Sequence, residues 1–185
     1  MNKIILASGS PRRRELMQMV GYQFDVIVAD IDETIDCSND LVKEIEKLSF
    51  RKANAVFVDY PDNIVIGSDT IVKIDNEILG KPKSITDAKL MLHKLSNRTH
   101  QVVTAVTILS KDKQETFSCI TDVTFYELSD EEIDEYVNSV EPLDKAGAYA
   151  IQGRGSEFVK SINGDYYTVV GLPIAEVYHR LKKYL

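Results

Sequence analysis

The chain has 185 residues, enough for one sizeable domain, and its formal net charge is −7 at pH 7. This acidic balance argues against a nucleic-acid duplex or an anionic membrane as a partner, because both require a broad basic face. No apolar stretch approaches the roughly 20 residues of a membrane span. The two cysteines, Cys37 and Cys119, form no C-x-x-C motif, so a reducing cytoplasmic location is the simplest expectation.

The first predicted elements are a buried strand over residues 3–7 and a helix over residues 11–20. Ser10 is the expected N-cap, and Pro11 suits the first helical position. Three arginines, residues 12–14, then occupy the first turn, where the positive end of the helix dipole disfavours cations. A bound anion would explain this arrangement, because backbone N–H groups and guanidinium groups both bind phosphate. The alternative is a solvated basic turn with an arginine reaching back to a carboxylate.

The rest of the chain alternates between strand and helix patterns, which predicts an α/β protein with a long mixed sheet. Strands are predicted over residues 24–29, 63–74, 100–110 and 115–128, and helices over residues 41–58, 86–95, 129–138 and 173–184. The polar residues 111–113 predict an antiparallel hairpin. Ser129 with Glu132 predicts a capping box, and Asn163-Gly164 predicts a hairpin turn. With no repeat or linker, residues 1–185 are expected to form one domain with two lobes.

Asp69 interrupts an apolar strand, IVIGSDTIV, at residues 64–72. A carboxylate is costly in such a place unless it is paired, hydrogen-bonded or bound to a metal. Gly67 removes a side chain where another group must approach closely. The segment Gly-Ser-Asp-Thr is also typical of a turn, but the apolar pattern resumes at once after Thr70. The local sequence therefore favours a functional Asp69.

Three further charged residues are candidates, each with an ordinary alternative. Lys81 lies between Gly80 and Pro82, which can aim one cation at a ligand but also form a common turn. Lys52 lies on a predicted helix, where its local sequence indicates a solvated side chain. Glu33 belongs to an acidic cluster that is either a solvated loop or a source of oxygen ligands for a divalent cation.

The segment EPLDKAGAYAIQG, residues 141–153, is rich in small residues and contains Gln152. Small residues let a planar ligand approach the backbone, and an amide can both donate to and accept from a base edge. A close-packed turn between strands is an equally good interpretation of this segment.

Taken together, these motifs make the chain resemble the Maf family of nucleotide pyrophosphatases over essentially its whole length. The matching segments, in chain order, are SGSPRRREL near the start, Lys52-Ala53, GSDTIV at 67–72, GKP at 80–82, EPLDKAGAYAIQG at 141–153 and VVGLP at 169–173. The resemblance implies an α/β fold similar to that of inosine triphosphate pyrophosphatases, with a long mixed central sheet and two lobes around a cleft.

The resemblance also implies hydrolysis of a nucleoside triphosphate to the monophosphate and pyrophosphate with a divalent metal, Mg²⁺ or Mn²⁺. Asp69 matches the catalytic carboxylate, and Glu33 matches a second acidic position that binds metal or positions water. The residues implied in substrate binding are Ser8, Ser10, Arg12, Arg13, Lys52, Lys81, Thr70 and Gln152. Charge neutralisation by cations and metal-assisted activation of water are what such a reaction requires.

Substrate choice rests on three of these positions. Thr70, Gln152 and Arg12 match the family branch that acts on dTTP and UTP, and modified pyrimidine triphosphates are further expected substrates. A nucleotide-binding regulator of cell division with little hydrolysis is the alternative, and a phosphatase that releases orthophosphate is a third possibility. A homodimer is a family expectation only, and neither nucleic acid nor membrane is expected as a partner.

Overall fold

The computed structural model describes residues 3–36, 40–139 and 141–185. Its strands are β1 (Ile4–Ala7), β2 (Phe24–Val26), β3 (Ile64–Ile74), β4 (Glu77–Leu79), β5 (Thr99–Ser110), β6 (Lys113–Phe125) and β7 (Val159–Asn163). Its α-helices are α1 (Pro11–Met19), α2 (Leu41–Phe57), α3 (Ile85–Leu95), α4 (Asp130–Val137), α5 (Tyr166–Val170) and α6 (Ile174–Leu181). Short 3₁₀ helices cover Pro142–Asp144, Ala146–Ala148 and Arg154–Phe158. The predicted α/β class is confirmed.

The sheet is mixed, as predicted. Within the described residues its strand order is β2-β1-β3-β5-β6-β7, and β4 pairs with β3. β1 runs parallel to β2 and to β3, with Ile4 opposite Ile64 and Ala7 opposite Gly67. Parallel neighbours need crossover connections, and the chain supplies α1 and α2 for this purpose. The end of β1 therefore lies beside the middle of β3, next to Asp69.

The chain divides into two compact units. The first unit comprises the described part of residues 1–69 with residues 104–119 and 171–185, and the second comprises the described part of residues 70–103 and 120–170. The core of the first unit includes Ile5, Ala53, Val56, Val65 and Leu109. The core of the second includes Val72, Leu92, Val102, Phe125, Tyr149 and Phe158. The expectation of two lobes around a cleft stays a prediction.

Most predicted elements occur within a few residues of their predicted bounds. β5 and β6 form the predicted antiparallel hairpin, since Thr107 lies within hydrogen-bond distance of Thr116 and Gln101 donates to Asp122. The capping box of α4 is confirmed, with Ser129 as its N-cap. None of the helices that the structure describes is long and apolar enough to cross a bilayer. Cys119 forms no disulfide with any described residue, and Cys37 lies outside the described residues.

Two sequence predictions need correction. The pattern missed β4, a strand of only three residues that pairs with β3 after a turn in which Asp75 has a φ of 52°. The hairpin predicted at Asn163-Gly164 is wrong, because α5 follows β7 directly. Gly164 does take a φ of 131°, but Asp165 then accepts the Thr168 N–H at 2.7 Å and so stabilises the start of a helical turn.

Candidate active site

Gly67 determines how closely α2 packs against β3 in the first unit. A Cβ atom at this position would lie 2.5 Å from the Ser49 carbonyl oxygen and 2.6 Å from the Ala53 backbone nitrogen. Real Cβ atoms do not approach backbone atoms so closely, so only glycine permits this helix position. The sequence predicted a close approach at Gly67, and the approaching group is the backbone of α2. Lys52, the neighbour of Ala53, is thereby brought next to Asp69 in the middle of β3.

Lys52 lies between two carboxylates of the first unit. Its Nζ donates to Asp69 Oδ1 at 2.5 Å and lies 3.0 Å from Glu33 Oε1. The Lys52 and Asp69 side chains are only 14% and 16% exposed, whereas Glu33 is 61% exposed. Of the three ways in which the sequence analysis allowed Asp69 to be stabilised, the structure shows pairing with Lys52. The interpretation of Lys52 as a solvated side chain is wrong, because its partners lie in distant parts of the sequence.

Arg13 is buried in the first unit. Its Nε donates to the Gly171 carbonyl oxygen at 2.8 Å, and its Nη1 donates to the Ser68 carbonyl oxygen at 2.7 Å and to Ser8 Oγ at 3.1 Å. Burial lowers the pKa of Arg13, while the negative charge of Asp69 acts in the opposite direction. The guanidinium therefore joins three segments: Ser8 just after β1, Gly171 before α6, and Ser68 within β3. Ser68 is the residue directly before Asp69.

The residues around Arg13 form the rest of the predicted anion site. Ser8 is buried, and its Oγ also accepts the Ser10 N–H at 3.3 Å. Ser10 is the N-cap of α1, as predicted, but without a side-chain capping bond among the described residues. Arg12 is half-buried on the first helical turn, and Arg14 is exposed. The three arginines thus differ in burial, which their uniform sequence did not indicate.

The other predicted substrate-binding residues belong to the second unit. Thr70 is half-buried in β3, and both Lys81 and Gln152 are exposed. The Gly80 carbonyl oxygen accepts the Gly147 N–H at 3.1 Å, so the loop that carries Lys81 contacts the small-residue segment 141–153. Lys81 and Gln152 are thus exposed on loops that a backbone hydrogen bond joins, an arrangement that suits ligand binding.

A divalent cation is part of the predicted chemistry, and the first unit offers two carboxylates for it. Asp69 Oδ1 and Glu33 Oε1 both lie within ion-pair distance of Lys52. No group of three or more metal-binding side chains occurs within the described residues. Two carboxylates still fit Mg²⁺, because proteins usually hold this ion with one or two carboxylates together with substrate phosphates and water. The donor set is therefore compatible with the predicted metal.

Sequence reasoning missed the backbone acceptors of this site. The carbonyl groups of Ser68 and Gly171 both bind Arg13, and Gly171 has a φ of 124° that favours glycine. The motif VVGLP was visible in the sequence but had no assigned role. Its glycine was the available signal that the backbone turns there.

The fold and the site define a class of protein. It is an α/β protein in which the Asp69 carboxylate is paired with the Lys52 ammonium group, and arginines occupy the first turn of α1. Such a site is suited to binding an anion and accepting a proton. The sequence model of one family, described as Maf-like protein, matches residues 3–184. The chain belongs to the Maf family, as the sequence motifs predicted.

Curated relatives are similar to the chain over its full length. Proteins named dTTP/UTP pyrophosphatase from Bacillus cereus strain AH820 and from Bacillus anthracis are each 53% identical over 184 residues, which cover 100% of this chain and 96% of theirs. Among solved structures, a nucleoside-triphosphatase (dITP/XTP pyrophosphatase) from Mycobacterium abscessus has a TM-score of 0.46 and 13% identity, covering 68% of this chain and 75% of that one. This structural likeness is too weak to add to the family assignment.

Proposed function

We propose that this protein hydrolyses dTTP and UTP, and modified pyrimidine triphosphates, to the monophosphate and pyrophosphate. The observation that carries the proposal is the pairing of Asp69, in the middle of β3, with Lys52, which the close packing at Gly67 brings next to it. The names of the full-length relatives supply the substrates. The Maf family supports nucleotide pyrophosphatase chemistry for the chain.

Asp69 acts as the general base in this proposal. Its carboxylate accepts a proton from water as the water oxygen bonds to the α-phosphorus of the substrate, and the bond from that phosphorus to the pyrophosphate oxygen breaks. Lys52 fixes the orientation of the Asp69 carboxylate through their 2.5 Å hydrogen bond. Because negative charge develops on the leaving pyrophosphate, cationic side chains lower the barrier.

Glu33 and Asp69 are the residues that would hold a divalent metal, Mg²⁺ or Mn²⁺. Such an ion, when bound, neutralises phosphate charge and makes water a better nucleophile near neutral pH. The Glu33 side chain is mostly exposed, so it can turn towards a metal ion without the free-energy cost of breaking a buried ion pair.

The proposed substrate-binding residues divide by chemistry. Ser8, Ser10, Arg12, Arg13, Lys52 and Lys81 offer hydroxyl, guanidinium and ammonium donors, which suit the triphosphate. Thr70 and Gln152, together with Arg12, match the branch of the family that acts on dTTP and UTP, and we propose that they determine this choice. A homodimer and a cytoplasmic location stay predictions, as does the lack of nucleic-acid and membrane partners.

The test is product analysis after incubation with dTTP or UTP and Mg²⁺, resolved by ion-exchange chromatography. We expect dTMP or UMP together with pyrophosphate. Intact nucleotide with measurable binding would favour a regulator, and dTDP with orthophosphate would favour a phosphatase. Either result would overturn the proposal.

A variant of Asp69 tests the mechanism in the same assay. Asp69→Asn should keep the fold and lower turnover by about 10³-fold, because an amide cannot accept the proton. The matched control is Asp75→Asn, which alters an exposed aspartate that pairs with Arg98. Turnover near the wild-type value in Asp69→Asn would remove Asp69 from the mechanism.

A further inference from the structure

Gln152 is an exposed amide on a backbone segment that is held firmly at several points in the second unit. We propose that Glu141 is a positioning residue for Gln152, because its carboxylate binds and packs against the backbone that directly follows Gln152. Glu141 is thereby a determinant of pyrimidine specificity. This inference rests on the proposed function, since it takes Gln152 as a residue that distinguishes bases.

The carboxylate of Glu141 lies directly against this backbone. Its Oε2 accepts the Arg154 N–H at 3.1 Å. A Cβ atom at position 153 would lie 1.8 Å from Glu141 Oε1 and 2.5 Å from its Cδ, so only glycine leaves room for the carboxylate. Oε1 is buried and has no hydrogen-bond partner within the described part of the chain.

Tyr136 anchors the other end of the segment. Its hydroxyl accepts the Ala150 N–H at 3.2 Å, and the Ala150 carbonyl oxygen accepts the Gly153 N–H at 3.1 Å. A Cβ atom at Gly155 would lie 2.8 Å from that same carbonyl oxygen. Hydrogen bonds and close packing thus fix the backbone before and after Gln152.

The consequence is that Gln152 is presented on a backbone with little freedom, so its amide retains mainly side-chain rotation. Binding groups held in their working position lose less conformational entropy when a ligand binds. A carboxylate acceptor strengthens the anchor, because hydrogen bonds to an ionised group are stronger than neutral ones. Loss of Glu141 should therefore weaken recognition of the base and leave the reacting groups of the first unit unchanged.

The test compares kcat/KM for dTTP with kcat/KM for dGTP. Glu141→Ala should lower this ratio about tenfold, mainly through a higher KM for dTTP. Gln152→Ala should lower the ratio to a similar degree. Because Glu141 acts through Gln152, the double variant should be no worse than Gln152→Ala. Additive losses, or a ratio in Glu141→Ala equal to that of the wild type, would overturn the proposal.

Two controls separate positioning from a general effect on stability. Glu141→Gln keeps an acceptor oxygen for the Arg154 N–H and should retain most of the discrimination. Glu135→Ala removes a carboxylate that binds the Arg154 side chain at 2.7 Å but not its backbone, and should leave the ratio unchanged. The assigned role would be contradicted if Glu141→Gln lost as much discrimination between dTTP and dGTP as Glu141→Ala. It would also be contradicted if Glu135→Ala lost discrimination.

Gly153→Ala is the second perturbation if Glu141→Ala does not fold. The added methyl group displaces the same carboxylate, so the ratio should fall as it would in Glu141→Ala. An unchanged ratio in a folded Gly153→Ala variant would overturn the inference. The proposed function fails separately, if the wild-type protein hydrolyses neither dTTP nor UTP.

Discussion

The two units hold their polar groups in different ways. In the first unit, cationic side chains bind the polar groups. Arg13 binds two backbone carbonyl groups, and Lys52 lies between Asp69 and Glu33. In the second, the buried His100 lies within an aromatic cluster. There, His100 Nε2 is 2.8 Å from the Tyr149 hydroxyl oxygen, and the His100 ring contacts the Phe125 ring edge-on at 4.9 Å.

This difference predicts different sensitivities. Removing one cation from the first unit takes several interactions away at once and disturbs the surroundings of Asp69. The aromatic cluster around His100 in the second unit depends on a neutral hydrogen bond and ring packing, so it should respond most to changes that introduce charge.

Arg13→Met should be the most damaging change to stability. It removes the three hydrogen bonds to Gly171, Ser68 and Ser8, and we expect the free energy of unfolding to fall by about 4 kcal/mol. Arg13→Lys should recover only part of this loss, because an ammonium group lacks the forked geometry of guanidinium. Urea denaturation followed by circular dichroism measures both values.

The matched control is Arg14→Met, which alters the exposed neighbour on the same helix and should change the free energy of unfolding by less than about 0.5 kcal/mol. Equal losses in the two variants would mean that burial of Arg13 contributes nothing, and the contrast between the units would not hold.

Gly67→Ala tests the backbone contact beneath Lys52. The added Cβ atom has no room against Ser49 and Ala53, so α2 must move away from β3. We expect a loss of about 3 kcal/mol in the free energy of unfolding. Turnover of dTTP should fall as well, since the movement separates Lys52 from Asp69. Thermal denaturation and pyrophosphate release measure the two effects.

Gly80→Ala provides the comparison, because a Cβ atom there meets nothing within 4 Å. It should leave stability unchanged or raise it slightly by reducing the freedom of the unfolded chain. If Gly67→Ala is tolerated as well as Gly80→Ala, the close approach of α2 does not position Lys52.

The sequence was sufficient to identify Asp69 and Gly67 as unusual positions, but it did not identify the groups around them. An acidic residue inside an apolar strand needs a compensating contact of some kind, and a glycine there indicates that another group approaches closely. The inward direction of Arg13 was not predictable, because its carbonyl acceptors lie 55 and 158 residues away in the sequence. The same reason explains the wrong interpretation of Lys52, which binds Asp69 across 17 residues.

The second unit gives a parallel case. The composition around Gln152 left two equal interpretations, a segment that binds a planar ligand and a close-packed turn between strands. The anchoring of this segment by Glu141 did not follow, because the bond to the Arg154 N–H joins residues that are 13 apart in the sequence, with two short 3₁₀ helices between them. Local pattern identifies which residues are unusual, whereas the partners that explain them come from the tertiary fold.

The buried His100 should make the second unit sensitive to acid. Burial lowers the pKa of His100 to about 4 from an ordinary value of 6.5. The neutral ring therefore stabilises the fold fully above pH 6.5, and this contribution is lost as the pH falls towards 4. Between pH 8 and pH 5 the loss should be about 2 kcal/mol. Urea denaturation at several pH values measures it.

His100→Gln should be less stable at pH 8 but should show a smaller loss on acidification, since it has no ring to protonate. His93→Gln, on the surface of α3, should keep the wild-type dependence on pH. The same slope in all three proteins would assign the acid sensitivity to groups other than His100.

The smallest expected effect compares the N-caps of two helices, one in each unit. Ser129 caps α4 with a full capping box, in which its Oγ accepts the Glu132 N–H at 3.2 Å and Glu132 Oε2 accepts the Ser129 N–H at 2.7 Å. Ser129→Ala should therefore lower the free energy of unfolding by about 1 kcal/mol. The measurement is the urea midpoint at neutral pH.

Ser10→Ala should cost less than about 0.5 kcal/mol, because the Ser10 side chain makes no capping bond to α1 among the described residues. Its backbone N–H, which donates to Ser8 Oγ, remains in the variant. At the start of α4, by contrast, the Ser129 side chain binds a backbone N–H of the first turn. An equal cost for the two substitutions would show that Ser10 caps α1 in the ordinary way.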